Sequence, residues 1–206
     1  MRKMVVAVLA AGMLAATGGV LYSAGEAFGA TATCTGTLPG STINANVYVP
    51  SGSVCTISGQ TVNGNITVEP GGGLVILGSK INGNVSAMDP GSFAGTPCGG
   101  GSGHFSVVVG SSTISGTVTV TGAPNNSDVT IGGNGCVRNT IQNNVSLTGN
   151  GGPVSLQDTT ITGNATVQNN GGVPVVATNR VSNILYCFGS TGAGNTAKTI
   201  YGTCTV

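Results

Sequence analysis

The sequence repeats itself at a period close to twenty residues, and this feature restricts the fold more than any other. Six copies of a seven-residue motif occur in the chain, followed by a degenerate seventh copy. The copies are Ile43–Val49, Val62–Val68, Ile81–Ala87, Ile114–Val120, Ile141–Leu147, Ile161–Val167 and Val181–Cys187. Successive copies start 19, 19, 33, 27, 20 and 20 residues apart, so four intervals are regular and two contain insertions. A near-constant period of this length predicts a fold of stacked repeats.

A second apolar pair precedes most copies by seven and five residues. The pairs are Cys55 and Ile57, Leu74 and Ile76, Val107 and Val109, Val154 and Leu156, and Pro174 and Val176. Each repeat therefore has three short apolar stretches, which are separated in the clearest repeat by Gly64, Gly71 and Gly78. Because glycine accepts the positive φ that a sharp corner requires, we expect three sides and three corners per repeat.

These patterns predict an all-β fold, namely a single right-handed parallel β-helix. The expected shape is a triangular solenoid of about seven coils of about 20 residues each. One coil cannot bury its own apolar side, whereas stacked coils pair every strand at about 4.8 Å and give a rod roughly 30–35 Å long. An antiparallel sandwich also uses short strands and glycine turns, but it would not repeat one motif at a near-constant period. The β-helix is therefore favoured over the sandwich.

The repeat resembles that of a known group of proteins. The copy Val62–Val68, followed by a Pro-Gly-Gly turn that reaches Gly73, resembles the repeats of bactofilins and of small secreted bacterial β-helix proteins, many of them actinobacterial. The stretch from Asn179 through Cys187 to Cys204 resembles the C-terminal closure of that secreted group. The resemblance covers roughly residues 43–206 and implies a β-helix without an assigned activity. Cysteines and a signal peptide depart from the pattern of the cytoplasmic bactofilins.

The N-terminus has the composition of a secretory signal peptide. A short positive region precedes an almost wholly apolar run from Val5 to Ala16, and small residues follow it. Ala30 and Ala32 form an A-x-A pair, so cleavage is expected after one of them, and residues 1–32 are assigned to the signal peptide. The apolar run is shorter than the about 20 residues that span a membrane, so a retained anchor is less favoured. The predicted β-helix domain covers 33–206, with loop insertions near 89–104 and 122–140 and a disulfide-held cap at 188–206.

All six cysteines follow the predicted signal peptide. They are Cys34, Cys55, Cys98, Cys136, Cys187 and Cys204. An even number in an exported chain indicates a disulfide framework, for which sequence alone leaves many connectivities open. Bridged Cα atoms must lie within about 7 Å, so cysteines of neighbouring coils or of one folded-back loop are the expected partners. The expected pairs are Cys34–Cys55, Cys98–Cys136 and Cys187–Cys204. Zinc is not expected, because the chain has no Cys-x-x-Cys motif and one histidine.

Charged residues are rare after residue 32, and their charges cancel. They are Lys80, Arg138, Arg180 and Lys198 against Glu69, Asp89, Asp128 and Asp158. Nucleic-acid binding requires a basic field, and attachment to an anionic membrane surface requires a basic cluster. We therefore expect neither partner, and we expect no membrane span in the mature chain, no metal and no cofactor.

Four ionisable residues lie in or beside the two predicted insertions. They are Asp89, His104, Asp128 and Arg138. They could form a small polar site on one flank of the rod. Aspartate before Pro-Gly is also ordinary turn chemistry, however, and this explanation is favoured.

Catalysis on polysaccharides must be weighed, because many parallel β-helices are lyases or hydrolases. Glycoside hydrolysis requires two carboxyl groups that face one bond. Glu69 and Asp89 are placed in similar turns of neighbouring coils, but each precedes a proline and neither has a basic residue at the same corner. We therefore expect no enzymatic activity and assign no catalytic residue. A polysaccharide lyase or hydrolase is the less favoured alternative.

The neutral composition and the disulfides favour a secreted, non-catalytic structural or cell-surface-associated protein. The main alternative is a binding module for ice or for a carbohydrate, such as a cell-wall or environmental glycan. Its candidate ligand face is an uncharged row that Tyr48 and Tyr186 flank, namely Thr67, Ser86, Thr119, Ser146 and Thr166. Threonine is also the polar residue best suited to strands, so a row of this kind is expected on many β-helix exteriors. Disulfide-held ends predict a monomer rather than a head-to-tail filament.

Four asparagines begin Asn-x-Ser/Thr triplets that match the glycosylation motif. They are Asn65, Asn84, Asn144 and Asn164. We interpret the triplets as a product of the repeat, which places asparagine at a corner two residues before an outward threonine or serine. At a corner the amide can stack on its equivalents or hydrogen-bond to the turn backbone.

Overall fold

The computed structural model describes residues 30–99, 102–133, 135–189 and 195–202, and this part of the chain is all-β. In chain order the strands are β1 (Thr31–Thr33), β2 (Thr42–Ile43), β3 (Asn46–Val49), β4 (Val54–Ser58), β5 (Thr61–Val62), β6 (Ile66–Val68), β7 (Gly73–Leu77), β8 (Lys80–Ile81), β9 (Val85–Met88), β10 (Phe93–Gly95), β11 (Gly103–Gly110), β12 (Thr113–Ile114), β13 (Val118–Thr121), β14 (Asp128–Ile131), β15 (Asn139–Ile141), β16 (Val145–Thr148), β17 (Val154–Gln157), β18 (Thr159–Ile161), β19 (Ala165–Gln168), β20 (Val175–Ala177), β21 (Arg180–Val181), β22 (Ile184–Cys187) and β23 (Thr199–Gly202). A short 3-10 helix, Pro97–Gly99, lies between β10 and β11.

The strands form three sheets in which the pairing is parallel, with one exception among the named strands. Sheet A has the order β1-β3-β6-β9-β13-β16-β19-β22-β23, sheet B has β20-β17-β14-β11-β7-β4, and sheet C has β2-β5-β8-β12-β15-β18-β21. The exception is β10, which pairs with β11 in the antiparallel sense. Apart from β10, the chain visits sheets C, A and B in rotation from β2 to β22. Each repeat therefore adds one strand to each sheet, an arrangement compatible with a parallel β-helix.

The seven-residue motif spans two sheets, and its apolar positions stack on those of the next repeat. Its first apolar residue lies in sheet C, where Ile43 is opposite Val62. Its next two lie in sheet A, where Val47 is opposite Ile66. The second apolar pair of each repeat lies in sheet B. These side chains form one continuous buried cluster along the molecule, and each buried isoleucine or valine contributes roughly 1.5–3 kcal/mol of hydrophobic stabilisation.

The three glycines of the clearest repeat serve two different purposes. Gly71 and Gly78 have φ values of 83° and 56°, which is the left-handed conformation expected of a corner glycine. Gly64 has no positive φ. A Cβ atom there would lie 2.4 Å from the backbone oxygen of Ala45 in the preceding repeat. Glycine is therefore required at 64 because two backbones approach closely, and the expectation of a positive φ at this corner was wrong.

A ladder of buried polar residues, which was not predicted from the sequence, runs along the corner between sheets B and C. The members are Gln60, Ser79, Ser112, Asn139, Thr159, Asn179 and Asn195, all of which are buried. At most steps a side-chain oxygen accepts a hydrogen bond from the backbone N–H of the member in the repeat before it. The N–H of Ser79 thus donates to Ser112 Oγ (3.1 Å), and that of Thr159 donates to Asn179 Oδ1 (3.1 Å). Backbone groups that the corner removes from the sheet ladders are satisfied in this way.

The N-terminal end is joined to the first repeat by a strand and a disulfide. β1 pairs with β3, and Ala32 is buried in the core. The signal-peptide boundary predicted after residue 32 therefore falls inside β1, while residues 1–29 of the predicted peptide lie outside the described residues. The predicted Cys34–Cys55 disulfide is present, with Cα atoms 5.4 Å apart.

At the C-terminal end, β23 continues sheet A beyond β22. Cys187 takes the inward position opposite Val167, as the motif predicts, and it is disulfide-bonded. Cys204, the partner predicted for it, lies outside the described residues. The predicted cap at 188–206 thus includes at least one strand that pairs in register with the last repeat.

The insertion predicted at 122–140 is narrower in the structure than in the sequence analysis. It contains β14, whose residues Val129 and Ile131 are fully buried members of the core. Most of the extra residues of this repeat follow β14, because Ile131 precedes Ile141 by ten residues where five is regular, so the apolar pair of β14 lies earlier than the seven-and-five spacing. The insertion predicted at 89–104 contains β10 and the 3-10 helix, and its last two residues belong to β11.

The two kinds of glycine predict different costs for the same substitution. Gly83 repeats the environment of Gly64, since a Cβ atom there would lie 2.4 Å from the backbone oxygen of Gly64. Gly83→Ala should lower the free energy of unfolding by roughly 2–3 kcal/mol, because two backbones must separate. The matched control is Gly78→Ala, where φ is positive but no atom lies within 4 Å, and it should cost about 1 kcal/mol. Urea denaturation measures both, and an equal cost would contradict the close-approach explanation.

The buried ladder predicts a cost that an exposed asparagine does not share. Asn179 is 1% exposed, accepts from the Thr159 N–H and donates to the Leu156 oxygen at 2.7 Å. Asn179→Ala should lower the free energy of unfolding by about 2–3 kcal/mol, because an interior N–H loses its partner. Asn84→Ala is the control: its amide accepts from the Thr117 N–H at an exposed corner, where water replaces it, so the cost should stay below about 1 kcal/mol. Equal destabilisation in urea would contradict the ladder's role.

Candidate functional site

The candidate ligand face predicted from the sequence is assembled on the outer side of sheet A. Thr67, Ser86, Thr119, Ser146 and Thr166, called here the hydroxyl row, are direct partners on five adjacent strands. Each lies between two buried residues of its own strand, as Thr67 does between Ile66 and Val68. Strand alternation therefore directs the whole row away from the core.

The hydroxyl groups of this row make no hydrogen bond within the part of the chain that the structure describes. Thr67 and Ser86 are exposed, and Thr119, Ser146 and Thr166 are partly exposed. Within the described residues none of the five hydroxyls has a hydrogen-bond partner, whereas corner hydroxyls such as those of Ser79 and Ser112 are bonded to backbone. The row therefore offers a line of free donors and acceptors, one per strand.

An asparagine ladder borders the row at the corner between sheets C and A. Asn65 Oδ1 accepts from the N–H of Asn84 at 2.8 Å, and Asn84 Oδ1 accepts from the N–H of Thr117 at 2.8 Å. Asn144 and Asn164 form the same bond farther along, at 2.8 Å. These are the asparagines of the Asn-x-Ser/Thr triplets, and their amide oxygens satisfy corner backbone as the repeat interpretation expected.

Aromatic side chains continue the row at both of its ends. Tyr48 is the strand partner of Thr67, and Tyr186 is the partner of Thr166. Tyr201 is opposite Tyr186, and the two rings stack with centroids 5.1 Å apart and planes inclined by 12°. Phe188 and Tyr201 are 51% and 49% exposed. Tyr48 and Tyr186 were expected from the sequence to flank the row, whereas Tyr201 was not, because no repeat motif precedes it.

A second hydroxyl row, which was not predicted from the sequence, lies on sheet C. Its threonines are Thr42, Thr61, Thr113, Thr140 and Thr160, which stand in register on the outer side. Lys80 and Arg180 occupy two positions of the same column and interrupt it. The available signal was the threonine directly before the first apolar residue of several motif copies. This row differs from that of sheet A because it is charged and carries no tyrosine.

The two insertions cover the outer face of sheet B and build a second apolar cluster there. Val75, Phe105, Val108 and Cys136 are buried in it, and Phe93 and Cys98 pack against it; we call these residues the loop cluster. The predicted Cys98–Cys136 disulfide is present, with Cα atoms 4.9 Å apart. It lies against Gly110, where a Cβ atom would approach both sulfur atoms within 3 Å. The insertions thus act as a cover for sheet B.

The four ionisable residues of the insertions do not form an ion-paired site. Asp89 occupies a corner with φ 47°, and Asp128 begins β14 opposite Phe105. His104 is exposed on β11 and borders a shallow concavity of about 510 Å³, and Arg138 is exposed. In the described part of the chain no ion pair joins them, and no group of three His, Cys, Asp or Glu could hold a metal ion.

Glu69 and Asp89, the carboxylates weighed for catalysis, are one position out of register. Val68 is opposite Ala87, so Glu69 is level with Met88 rather than with Asp89. Asp89 is instead placed against Gly122 of the following repeat. The two carboxylates follow neighbouring strands of sheet A, as expected, but they occupy turn positions one residue apart.

Comparisons with protein-family models, curated proteins and solved structures find no match to this chain. Among the described residues, no helix has the length and apolar character that a membrane span requires.

Asp128 supplies a pH prediction. Partial burial raises the pKa of this carboxyl above its ordinary value. The folded protein therefore holds the proton more tightly than the unfolded chain, so stability falls as the pH rises from the unfolded pKa through the folded one. Asp128→Asn should raise Tm at neutral pH and change it little near about pH 3. Lys80→Gln, which removes an exposed charge from sheet C, is the control. Scanning calorimetry at both pH values measures the effect, and a lower Tm at neutral pH would contradict it.

Proposed function

We propose that the three sheets form a right-handed, triangular parallel β-helix of about seven turns. The rotation of the chain through sheets C, A and B, one strand at a time, supports this architecture. Parallel strands joined by crossover connections are right-handed in almost all proteins, which supports the handedness. The inward columns of the three sheets pack on one another in a single apolar cluster, as the interior of such a rod requires.

The protein is proposed to be secreted. Its two described disulfides support this, because such bonds persist mainly in oxidising compartments. β1 begins at Thr31, and the backbone oxygen of Ala30 accepts from the N–H of Asn46 at 2.9 Å. Cleavage after Gly29 would leave these interactions intact and would place Ala27 and Gly29 at the two positions where signal peptidase requires small residues. Cleavage after Ala32 would remove most of β1.

The proposed role is that of a rigid, non-catalytic structural or cell-surface-associated rod. The observation that carries this proposal is the continuous bonding between repeats. Backbone pairing in three sheets connects each repeat to the next, and the buried ladder and the asparagine ladder add hydrogen bonds at most of the same steps. In addition, the Cys34–Cys55 disulfide ties the N-terminal segment to the first repeat, and the Cys98–Cys136 disulfide holds the loop cluster together. A chain whose polar groups are committed to stacking in this way supplies length and stiffness.

A second candidate function, a binding module for carbohydrate or ice, is favoured by one specific observation. The five residues of the hydroxyl row stand in register on adjacent strands, and their hydroxyl groups have no partner in the described part of the chain. A surface-associated rod and a binding face are compatible, since attachment to a surface requires contacts with it.

The cleavage site can be located by two substitutions. In the full chain expressed in a secreting bacterium, Ala27→Leu should slow processing, because leucine is too large at the −3 position of a Gly29–Ala30 cleavage. Ala30→Leu is the control and should be processed normally at that site. Intact mass of the exported wild type should correspond to an N-terminal Ala30. A mature chain that starts at Thr33, with processing blocked by Ala30→Leu, would contradict the assignment.

The structural role predicts where the protein is found and what it does not do. After expression with its own leader, oxidised protein should be recovered from the cell-wall fraction as well as the medium, and as a monomer by size-exclusion with light scattering. Incubation with bacterial, plant and fungal polysaccharides should release no reducing ends and no unsaturated products. Catalytic turnover of any of them would contradict the non-catalytic role, and recovery from the medium alone would contradict surface association.

A further inference from the structure

The aromatic side chains of this protein are few and unevenly placed. Residues 30–206 contain six of them, and no tryptophan occurs in the chain. Phe93 and Phe105 belong to the loop cluster. The other four are all associated with sheet A: Tyr48, Tyr186, Tyr201 and Phe188. An outer surface of serine and threonine needs no aromatic residue to form strands or to stay hydrated. The concentration of aromatic residues at sheet A therefore requires another explanation.

The three tyrosines stand in the same column as the hydroxyl row. Six strand spacings separate Tyr48 from Tyr186. At about 4.8 Å per strand, the row and its end residues extend over roughly 29 Å. Serine and threonine side chains are short and tyrosine side chains are long. The hydroxyl row is therefore a low, flat surface, and a longer tyrosine side chain stands at each of its ends.

The absence of charge from the hydroxyl row limits which ligands the row can bind. The hydroxyl row contains no charged residue, and the nearby carboxylates Glu69 and Asp89 lie at or beyond the strand ends. The cations Lys80 and Arg180 stand on sheet C, in the second hydroxyl row. An anionic polymer would favour sheet C, whereas the hydroxyl row on sheet A is complementary to a neutral ligand.

We propose that the hydroxyl row and its terminal tyrosines form the binding site of a neutral, extended polysaccharide that lies across the strands of sheet A. An extended chain of pyranose rings advances by nearly one strand spacing per ring, so successive rings would meet successive hydroxyl groups. Because these hydroxyls have no hydrogen-bond partner among the described residues, binding displaces only water from them. The apolar face of a ring at either end packs on Tyr48 or Tyr186. This inference rests on the proposed secreted rod and supplies the contact by which it would hold a surface.

The site predicts a dependence on ligand length. Each hydroxyl contact is weak, and affinity accumulates only when one ligand engages several positions at once. Long chains should therefore bind, while short oligosaccharides should compete poorly. A compact pocket for one sugar would show the opposite behaviour.

The test uses the purified, oxidised protein and three insoluble neutral probes: cellulose, chitin and β-1,4-mannan. Depletion from solution should occur with at least one of them. Thr119→Lys places a long cation in the middle of the row and should weaken binding about tenfold or more. Thr140→Lys is the matched control, because Thr140 is a partly exposed central threonine of the sheet C row, and it should bind like the wild type. Tyr201→Ala removes an exposed ring and should weaken binding by a smaller factor.

Each variant is first compared with the wild type by circular dichroism and Tm, so that loss of binding is not confused with loss of fold. Failure of the folded wild type to bind all three probes would overturn the proposal, and so would equal loss in Thr119→Lys and Thr140→Lys. Thermal hysteresis without glycan binding would also overturn it, in favour of ordered water as the ligand. Recovery in the cell-wall fraction is measured independently, so a surface-associated rod without glycan affinity would leave the structural role standing.

Discussion

The structure depends on parallel pairing between each repeat and the next, in a register that places equivalent residues directly above one another. Ile43 is opposite Val62 and Val62 is opposite Ile81, and the same alignment continues along all three sheets. Every position of the repeat therefore has its own equivalent as a neighbour at about 4.8 Å. A residue type is acceptable at a position only if it can stack on itself. Aliphatic side chains satisfy this condition in the interior, and amides and hydroxyls satisfy it at the corners.

The corners show how that condition selects residues. Where two backbones approach closely, as at Gly64 and Gly83, any side chain would collide with the previous repeat. Beside these glycines, asparagine provides an oxygen that reaches the N–H of the next repeat, as Asn65 does for Asn84. Thr117 replaces asparagine after the first insertion, and its side chain makes no equivalent bond within the described chain. The exposed ladder is thus interrupted between Thr117 and Asn144, across the second insertion, whereas the bond between Asn84 and Thr117 spans the longest interval.

The sequence allowed the sheets and the apolar columns to be predicted, because both follow from a period that can be counted. Two of the disulfides followed as well, since adjacent repeats restrict which cysteines can meet. The buried ladder could not be predicted, because Gln60, Ser79 and Asn139 share a position and no residue type. β14 was placed inside an insertion because its apolar pair does not keep the seven-and-five spacing. The loop cluster depends on the path of two irregular segments, which no periodicity describes. The hydroxyl row was found, but its lack of internal bonding was visible only in the structure.

The same register that builds the core also makes hydroxyl rows on the outside, and this affects how a functional surface can be recognised. Threonine is the polar residue best suited to strands, so a stacked fold produces rows of it on more than one sheet, as sheets A and C demonstrate. Regularity alone therefore does not distinguish a binding face from a solvated one. The informative residues are those that the repeat does not require. Tyrosine replaces threonine or serine at 48 and 186 and recurs at 201, always in one column, whereas sheet C has lysine and arginine at its exceptions. Stacking alone would have kept threonine at each of these positions. Tyrosines that replace it in one column are therefore a stronger indication of ligand contact than the repeated threonines and serines.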